Sequence, residues 1–357
     1  DAEAVVSRLS VWDYGSIRGG VVKQTHNSVG YVYLISLLYR AAEPLGGFHT
    51  MLPRLLNCLV LGMLAVLTYR LAKLYSLSEI TSRWCALLVG LLPIMVYNSI
   101  HTFRDVIVSL LTLWVVYIWA MESTTPAVHR RILLWAQTFL IALIVTQFRA
   151  AQAVAILAVA LIGDLWSSQV KARAFSARSL YRLALVLVVL ATLLFVLPDT
   201  LSSFAQRLGR GQSAYTQYRL GMSDGLAAYV FSAPVPLTYV LRVPYALITP
   251  LPILSAQLER LWLSAGTVIW YLLLPFFVLG FIRSVHSRSK SLLLGAFLLL
   301  FGGTVLISFS QRHISQYLPY GILIAEMGWE RYRAHRIPVL LGATWLGCGL
   351  IIVYVVL

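Results

Sequence analysis

RDVIVSLLTLWVVYIWAM, residues 104–121, places an arginine and an aspartate directly before a long run without a charge. A run of about 20 mostly apolar residues can cross a bilayer as a helix. The whole chain is 59% hydrophobic and 11% charged, which leaves too little polar surface to cover a water-soluble globule of 357 residues. Helical runs separated by basic loops, rather than short alternating strands, predict an all-α polytopic membrane protein with a single membrane domain over residues 1–357.

Ten apolar runs predict about ten transmembrane helices, and two long stretches of the chain lie outside them. The first stretch, residues 1–51, is expected to be an external loop with an interfacial helix around Tyr31–Tyr39. The second, residues 199–261, is expected to be an external loop of short interfacial helices and turns, because its prolines forbid one continuous helix. The predicted spans are 52–72, 84–99, 104–121, 131–147, 149–166, 183–198, 262–282, 291–309, 314–328 and 338–357.

Positive charge is concentrated in alternate connections, and short loops rich in lysine and arginine stay in the cytoplasm. More than half of the 28 basic residues lie in five such connections, around Arg70–Arg83, Arg130–Arg131, Lys171–Arg182, Arg283–Lys290 and Arg331–Arg336. The turns near residues 101, 148 and 312 then face outward, together with Asp1. An external Asp1 predicts a further transmembrane helix before it.

The net charge of +15 is accounted for by this topology and by anionic lipid headgroups as partners. Nucleic acid is not an expected partner, since no aromatic-basic module is present. Cys58, Cys85 and Cys348 all fall inside apolar runs, where they behave as small packing residues rather than as disulfide or zinc ligands.

Charged residues at the edges of apolar runs are the best functional lead. Burying an arginine or aspartate in a span costs about 2.5–3.5 kcal/mol, so such residues tend to pair or to line a cavity. Three arginines on the predicted external face would form a basic pocket suited to a lipid phosphate. The residues concerned are Arg104, Asp105, Arg149, Arg312 and His313, beside the acidic start Asp1 and Glu3.

Simpler roles for these residues remain open. The arginines can snorkel to the surface, Asp105 can cap the start of a helix, and Asp1 with Glu3 can be a solvated loop end.

Several segments resemble a known family. They are Asn27–Tyr31 before the interfacial helix, Pro53–Asn57 opening a span, Tyr69–Lys73 closing it, Pro93 through Asp105, and Arg312-His313 followed by Pro319. Together they resemble the integral-membrane GT-C glycosyltransferases, in particular protein O-mannosyltransferases and lipid A aminoarabinose transferases. The resemblance covers most of residues 1–330.

This resemblance implies transfer of a sugar from a polyprenyl-phosphate carrier to a lipid, glycan or protein acceptor, on the extracytoplasmic face of a bacterial plasma membrane. An acid of the first external loop would act as base or bind a divalent metal ion, a role that falls on Asp1 with Glu3 beside it. Asp105 is the third expected catalytic acid. The expected substrate-binding residues are Arg104, Arg149, Arg312, His313, His26 and Tyr31.

Two other functions fit the same features. A polysaccharide polymerase or ligase that uses undecaprenyl-pyrophosphate-linked glycans also needs external arginines and a long external loop. A lipid-linked saccharide transporter would instead line a path across the membrane with its arginines, and no pair of broken helices in the middle of the spans supports that arrangement.

Overall fold

The computed structural model describes residues 28–46, 49–101, 104–122, 128–168, 225–234, 237–248, 257–287, 290–307 and 311–356. These residues are mostly helical and contain no β-strand, which confirms the predicted all-α class. The helices are α1 (Val29–Ala42), α2 (Met51–Leu74), α3 (Glu79–Leu91), α4 (Pro93–Ile100), α5 (Asp105–Met121), α6 (Val128–Ser168), α7 (Gly225–Ser232), α8 (Leu237–Ile248), α9 (Leu258–Val285), α10 (Ser291–Ile307), α11 (Gln311–Arg331) and α12 (Arg336–Val356).

Three of the described helical segments are long and apolar enough to cross a membrane: Met51–Leu74, His129–Arg149 and Leu258–Val285. A fourth candidate is the pair α3 and α4, bent by 44° where Pro93 ends the helix before it. Proline cannot donate the backbone hydrogen bond that would continue α3, and it holds Leu92 in an extended conformation. These helices are consistent with an integral membrane protein.

Nine of the ten predicted spans coincide with helices, and the tenth, 183–198, lies outside the described residues. The count of ten crossings stays a prediction, since length and composition support three or four among the residues described. The predicted span 314–328 is too short, because α11 extends it at both ends to Gln311–Arg331. Both ends of α11 are polar, so a prediction based on hydropathy does not include them in the helix.

Helix α6 folds back on itself at Arg149, which has a non-helical backbone with φ −162° and ψ 95°. Its two arms, His129–Arg149 and Gln152–Asp164, meet again at their far ends, where Arg131 Nε lies 3.2 Å from Asp164 Oδ1. Roughly eighteen residues of helix rise about 27 Å, so this ion pair requires an antiparallel hairpin. The turn of that hairpin is Arg149.

Helix α11 is the central element of the bundle, with every residue from His313 to Gly328 buried. It packs most closely on α9, where Gly280 faces the carbonyl of Ile324 and Gly328 faces the carbonyl of Phe276. A Cβ atom at either glycine would overlap that carbonyl oxygen. Small residues at such a crossing allow two helix backbones to touch.

The bundle has two chemically different ends. At one end, Arg130 pairs with Glu122 at 3.8 Å and Arg83 pairs with Glu79 at 2.9 Å. We call this the basic end, after the arginine-rich connections around Arg83 and Arg130. Asp105 begins α5 at the opposite end, roughly 25 Å away along that helix.

Part of the predicted second external loop is helical, as α7 and α8, while residues 199–224 and 249–256 lie outside the described residues. Helix α8 exposes the apolar side chains of Leu237, Val240 and Val243 and buries Thr238 and Arg242. Its last carbonyls accept hydrogen bonds from the middle of α9: Trp270 Nε1 donates to Leu247 O at 2.7 Å and Tyr271 Oη donates to Ile248 O at 2.6 Å. The end of α8 is therefore held against the bundle.

Candidate functional site

A buried carboxylate, Asp105, is the centre of the site at the end of the bundle opposite the basic end. Asp105 is the first residue of α5 and is only 2% exposed. Its Oδ1 atom accepts two hydrogen bonds, from Arg149 Nη1 at 2.7 Å and from Gln316 Nε2 at 2.8 Å. It also lies in the first turn of α5, where the positive end of the helix dipole attracts a negatively charged side chain.

The second oxygen of this carboxylate has different surroundings. Asp105 Oδ2 accepts no hydrogen bond from the residues that the structure describes. One oxygen is thus fixed by two donors, and the other has capacity for a further donor.

Arg149 reaches this carboxylate from the turn of α6. The extended backbone at the turn interrupts the helix and directs the side chain towards α5 and α11. Its Nη2 also contacts His313 Nε2. The side chain of Arg149 is 19% exposed, so the guanidinium bridges two buried partners and still has access to solvent or lipid.

His313 of α11 contacts the guanidinium of Arg149 through its ring nitrogen Nε2. His313 is 6% exposed and Gln316 is 4% exposed, so both are fixed by packing as well as by hydrogen bonds.

We call Asp105, Arg149, His313 and Gln316 the Asp105 cluster. It joins α5, α6 and α11. Ser109 reinforces it one turn further along α5, because its hydroxyl lies 3.0 Å from the carbonyl of Ser315 on α11 and 2.8 Å from the carbonyl of Asp105.

No family model, curated protein or solved structure matches this chain. The chemistry of the Asp105 cluster is therefore inferred from its own geometry.

Helix α1 packs beside the cluster and carries Tyr31, which is 8% exposed. Asn57 Nδ2 of α2 donates to Tyr31 Oη at 3.3 Å. Burial raises the pKa of Tyr31 to about 12, and the nearby charge of Asp105 acts in the same direction. Gly30 brings α1 against the α6 turn, since a Cβ atom there would lie 2.6 Å from Gln147 Cβ.

An apolar pocket adjoins the cluster at Ile314, the residue after His313. It lies between α4, α9 and α11 and is lined by Leu92, Ile94, Leu263, Gly266, Thr267, Trp270, Ile314, Tyr317 and Leu318. This pocket lies between α4, α9 and α11, whereas the Asp105 cluster lies between α5, α6 and α11.

The structure brings together four of the residues predicted from sequence: Asp105, Arg149, His313 and, on α1 beside them, Tyr31. Arg104 is partly exposed at the residue before α5. Asp1, Glu3 and His26 lie outside the described residues, as does the side chain of Arg312. The described residues contain no group of three or more metal-ligating side chains, and the predicted metal site at Asp1 and Glu3 is not among them.

Gln316 was not among the predicted site residues. The sequence does indicate a polar site here, because a polar run between two apolar segments contains Gln311, His313 and Gln316. His313 and Gln316 are three residues apart and so share one face of a helix. This spacing shows that the two residues share a face of α11, but it does not show which other helix that face contacts.

Proposed function

We propose that this protein is a GT-C-like membrane glycosyltransferase with about ten spans. It would transfer a sugar from a polyprenyl-phosphate carrier to a lipid, glycan or protein acceptor, on the extracytoplasmic face of a bacterial plasma membrane. The observation that carries the proposal is the Asp105 cluster, a partly exposed guanidinium held by a buried carboxylate.

The cluster has the parts that a lipid phosphate requires. Arg149 offers a planar set of donors that suits phosphate oxygens, and its partial exposure leaves it within reach of a ligand. When the carrier phosphate leaves the sugar it gains negative charge, which a nearby guanidinium stabilises.

Asp105 has a different role in this proposal from that of a free base. Its Oδ1 is occupied by Arg149 and Gln316, so the carboxylate chiefly orients the arginine. Its Oδ2 would accept a hydrogen bond from an acceptor or sugar hydroxyl. The base that removes the acceptor proton would be Asp1, assisted by Glu3, as the family resemblance implies; Arg312 and Arg104 would add positive charge.

The distribution of charge supports the proposed sidedness. The arginine-rich connections around Arg83 and Arg130 lie at one end of the bundle, and the Asp105 cluster is at the other. Since arginine-rich short loops stay in the cytoplasm, the cluster would face away from it.

A transfer assay in proteoliposomes tests this function. The full-length protein is supplied with a radiolabelled polyprenyl-phosphate sugar and candidate acceptors, and wild type is compared with Arg149→Lys and Arg131→Lys. Arg131 is a matched control, because it also pairs with a buried aspartate on α6 but lies at the basic end. We expect Arg149→Lys to lower the transfer rate by about 10²-fold, since lysine lacks the planar fork, and Arg131→Lys to stay close to wild type.

Other outcomes overturn the proposal. Equal turnover in the two variants would remove the Asp105 cluster from the reaction. Movement of the labelled lipid between leaflets without any transfer would make the protein a transporter. Joining of pyrophosphate-linked glycans, with no use of a single phosphate-linked sugar, would make it a polymerase or ligase.

A further inference from the structure

The position of α8 in the membrane is set by α9, to which its end is attached. Helix α9 is long and apolar enough to span a bilayer, and the arginines nearest its two ends, Arg260 and Arg283, are both exposed. The residues between these arginines are all uncharged. The two positions are about 34 Å apart along the helix, slightly more than the thickness of about 30 Å of the hydrocarbon layer. The uncharged part of α9 is therefore the part that crosses this layer.

Two neighbouring aromatic side chains near the middle of α9 hold the end of α8. Trp270 lies roughly 15 Å along the helix from the first of these arginines and roughly 20 Å from the second, close to the centre of the hydrocarbon layer. Trp270 and Tyr271 donate to the last two carbonyls of α8, those of Leu247 and Ile248. These carbonyls have no partner within their own helix, and in hydrocarbon such groups must be satisfied by protein. The two hydrogen bonds thus place the C-terminal end of α8 about half-way through the membrane.

The surface of α8 has the polarity of a helix surrounded by lipid. Its exposed residues are all apolar: Leu237, Val240, Val243 and Pro244. The one charged side chain of the helix, Arg242, is only 7% exposed, and its guanidinium lies 4.6 Å from the centre of the Phe231 ring on α7. A helix that lies in the membrane interface has a polar face towards water, and no exposed residue of α8 is polar. Shielding of the arginine by protein is the arrangement that limits the cost of a charge inside a membrane.

We propose that α8 is a half-membrane helix, which lies in the hydrocarbon layer and ends near its middle. Its exposed side chains, Leu237, Val240 and Val243, would contact the acyl chains of membrane lipids. The helix has 12 residues and is about 18 Å long, so its first residue also lies within about 18 Å of the membrane centre. The proposal does not depend on the transfer reaction, and it places α8 deeper than the interfacial position that its sequence predicts.

Electron paramagnetic resonance of spin-labelled protein tests this depth. The full-length protein, with its three native cysteines replaced by alanine, carries one labelled cysteine and is reconstituted in vesicles of dioleoylphosphatidylcholine. Collisions of the label with oxygen, which concentrates in hydrocarbon, are compared with collisions with a water-soluble nickel chelate. The variants are Val240→Cys on α8 and two controls. Val268→Cys is the matched control in hydrocarbon, because Val268 is an exposed valine of α9, and His286→Cys is the control in water, at the exposed basic end.

We expect the ratio of oxygen to nickel collisions at Val240→Cys to be close to that at Val268→Cys and several-fold above that at His286→Cys. A ratio nearer to that of His286→Cys overturns the proposal, because it places α8 in water or at the interface.

A second measurement uses the wild-type protein and applies even if the labelled variants do not fold. The vesicles then contain phosphatidylcholine with a photoreactive diazirine at the end of one acyl chain, and the labelled peptides are identified by mass spectrometry. Labelling of residues 237–248 as well as of residues 261–282 in α9 supports the proposal. Labelling of residues 261–282 without any labelling of residues 237–248 overturns it.

Discussion

Asp105 and Arg149 are 44 residues apart in sequence, and their side chains meet at 2.7 Å between Oδ1 and Nη1. The contact lies at the turn of α6, while a second buried pair, Arg131 with Asp164, closes the other end of the same hairpin at 3.2 Å. An ion pair between an arginine of α6 and a carboxylate therefore lies at each end of the hairpin. The Asp105 pair also contacts α11, through Gln316 and His313.

The first prediction concerns this pair. Removing one partner of a buried ion pair costs about 3–5 kcal/mol because the other charge is left buried, whereas replacing both with apolar groups is often neutral. We expect Asp105→Ala to destabilise the protein and Asp105→Ala with Arg149→Met to recover much of the loss. Unfolding in mixed detergent micelles measures this coupling. Additive effects of the two substitutions would mean that the pair does not exist in the folded protein.

The second prediction concerns the contact of α9 with α11. A methyl group at Gly280 would overlap the carbonyl of Ile324, so we expect Gly280→Ala to lower the free energy of unfolding by about 1–3 kcal/mol. Gly302 of α10 is the matched control, because a Cβ atom added there would have no neighbour within 4 Å among the described residues. Gly302→Ala should be neutral or slightly stabilising. A tolerated Gly280→Ala would contradict the close approach of the two helices.

The third prediction concerns the pH dependence of stability at Tyr31. Its folded pKa of about 12 exceeds the ordinary value of 10.0, so the neutral phenol is favoured by folding. The stability that it contributes is complete below pH 10 and is lost as pH rises from 10 to 12, by up to about 1.4 kcal/mol per pH unit. The difference in stability between wild type and Tyr31→Phe should change over that window. A constant difference would mean that Tyr31 is not buried as described.

The fourth prediction concerns sidedness. Single cysteines replace His101, near the Asp105 cluster, or His286, near the basic end, after the native Cys58, Cys85 and Cys348 are replaced by alanine. Both histidines are exposed. A membrane-impermeant maleimide should label position 101 in intact cells and position 286 only after permeabilisation. The reverse pattern would place the cluster in the cytoplasm.

Much of the architecture could be predicted from sequence because it depends on local patterns. The all-α class follows from the apolar runs, and the break at Arg149 follows from a polar residue between two of them. The length of α11 could not be predicted in the same way, because its ends are polar and yet helical. The first and last turns of α11 are stabilised by packing against neighbouring helices, which the hydropathy of the sequence does not reveal.

The site was predictable only as a set of separate candidates. Asp105, Arg149 and His313 each occur where a polar residue interrupts an apolar run, which local sequence can reveal. Arg149 contacts both Asp105 and His313, and this arrangement depends on how α5, α6 and α11 are rotated against each other, which no local pattern encodes. Gln316 could not be predicted for the same reason, since its hydrogen-bond partner, Asp105, is 211 positions away in sequence.

The glycine contact between α9 and α11 has a consequence for how a large lipid could enter. Two helices whose backbones touch at Gly280 and Gly328 cannot slide along each other without collision, so they form a rigid frame behind the site. His313 and the wall of the apolar pocket both belong to that frame. For the proposed function, a lipid would enter beside helices outside this frame, such as α1, which rests on the turn of the hairpin at Gln147.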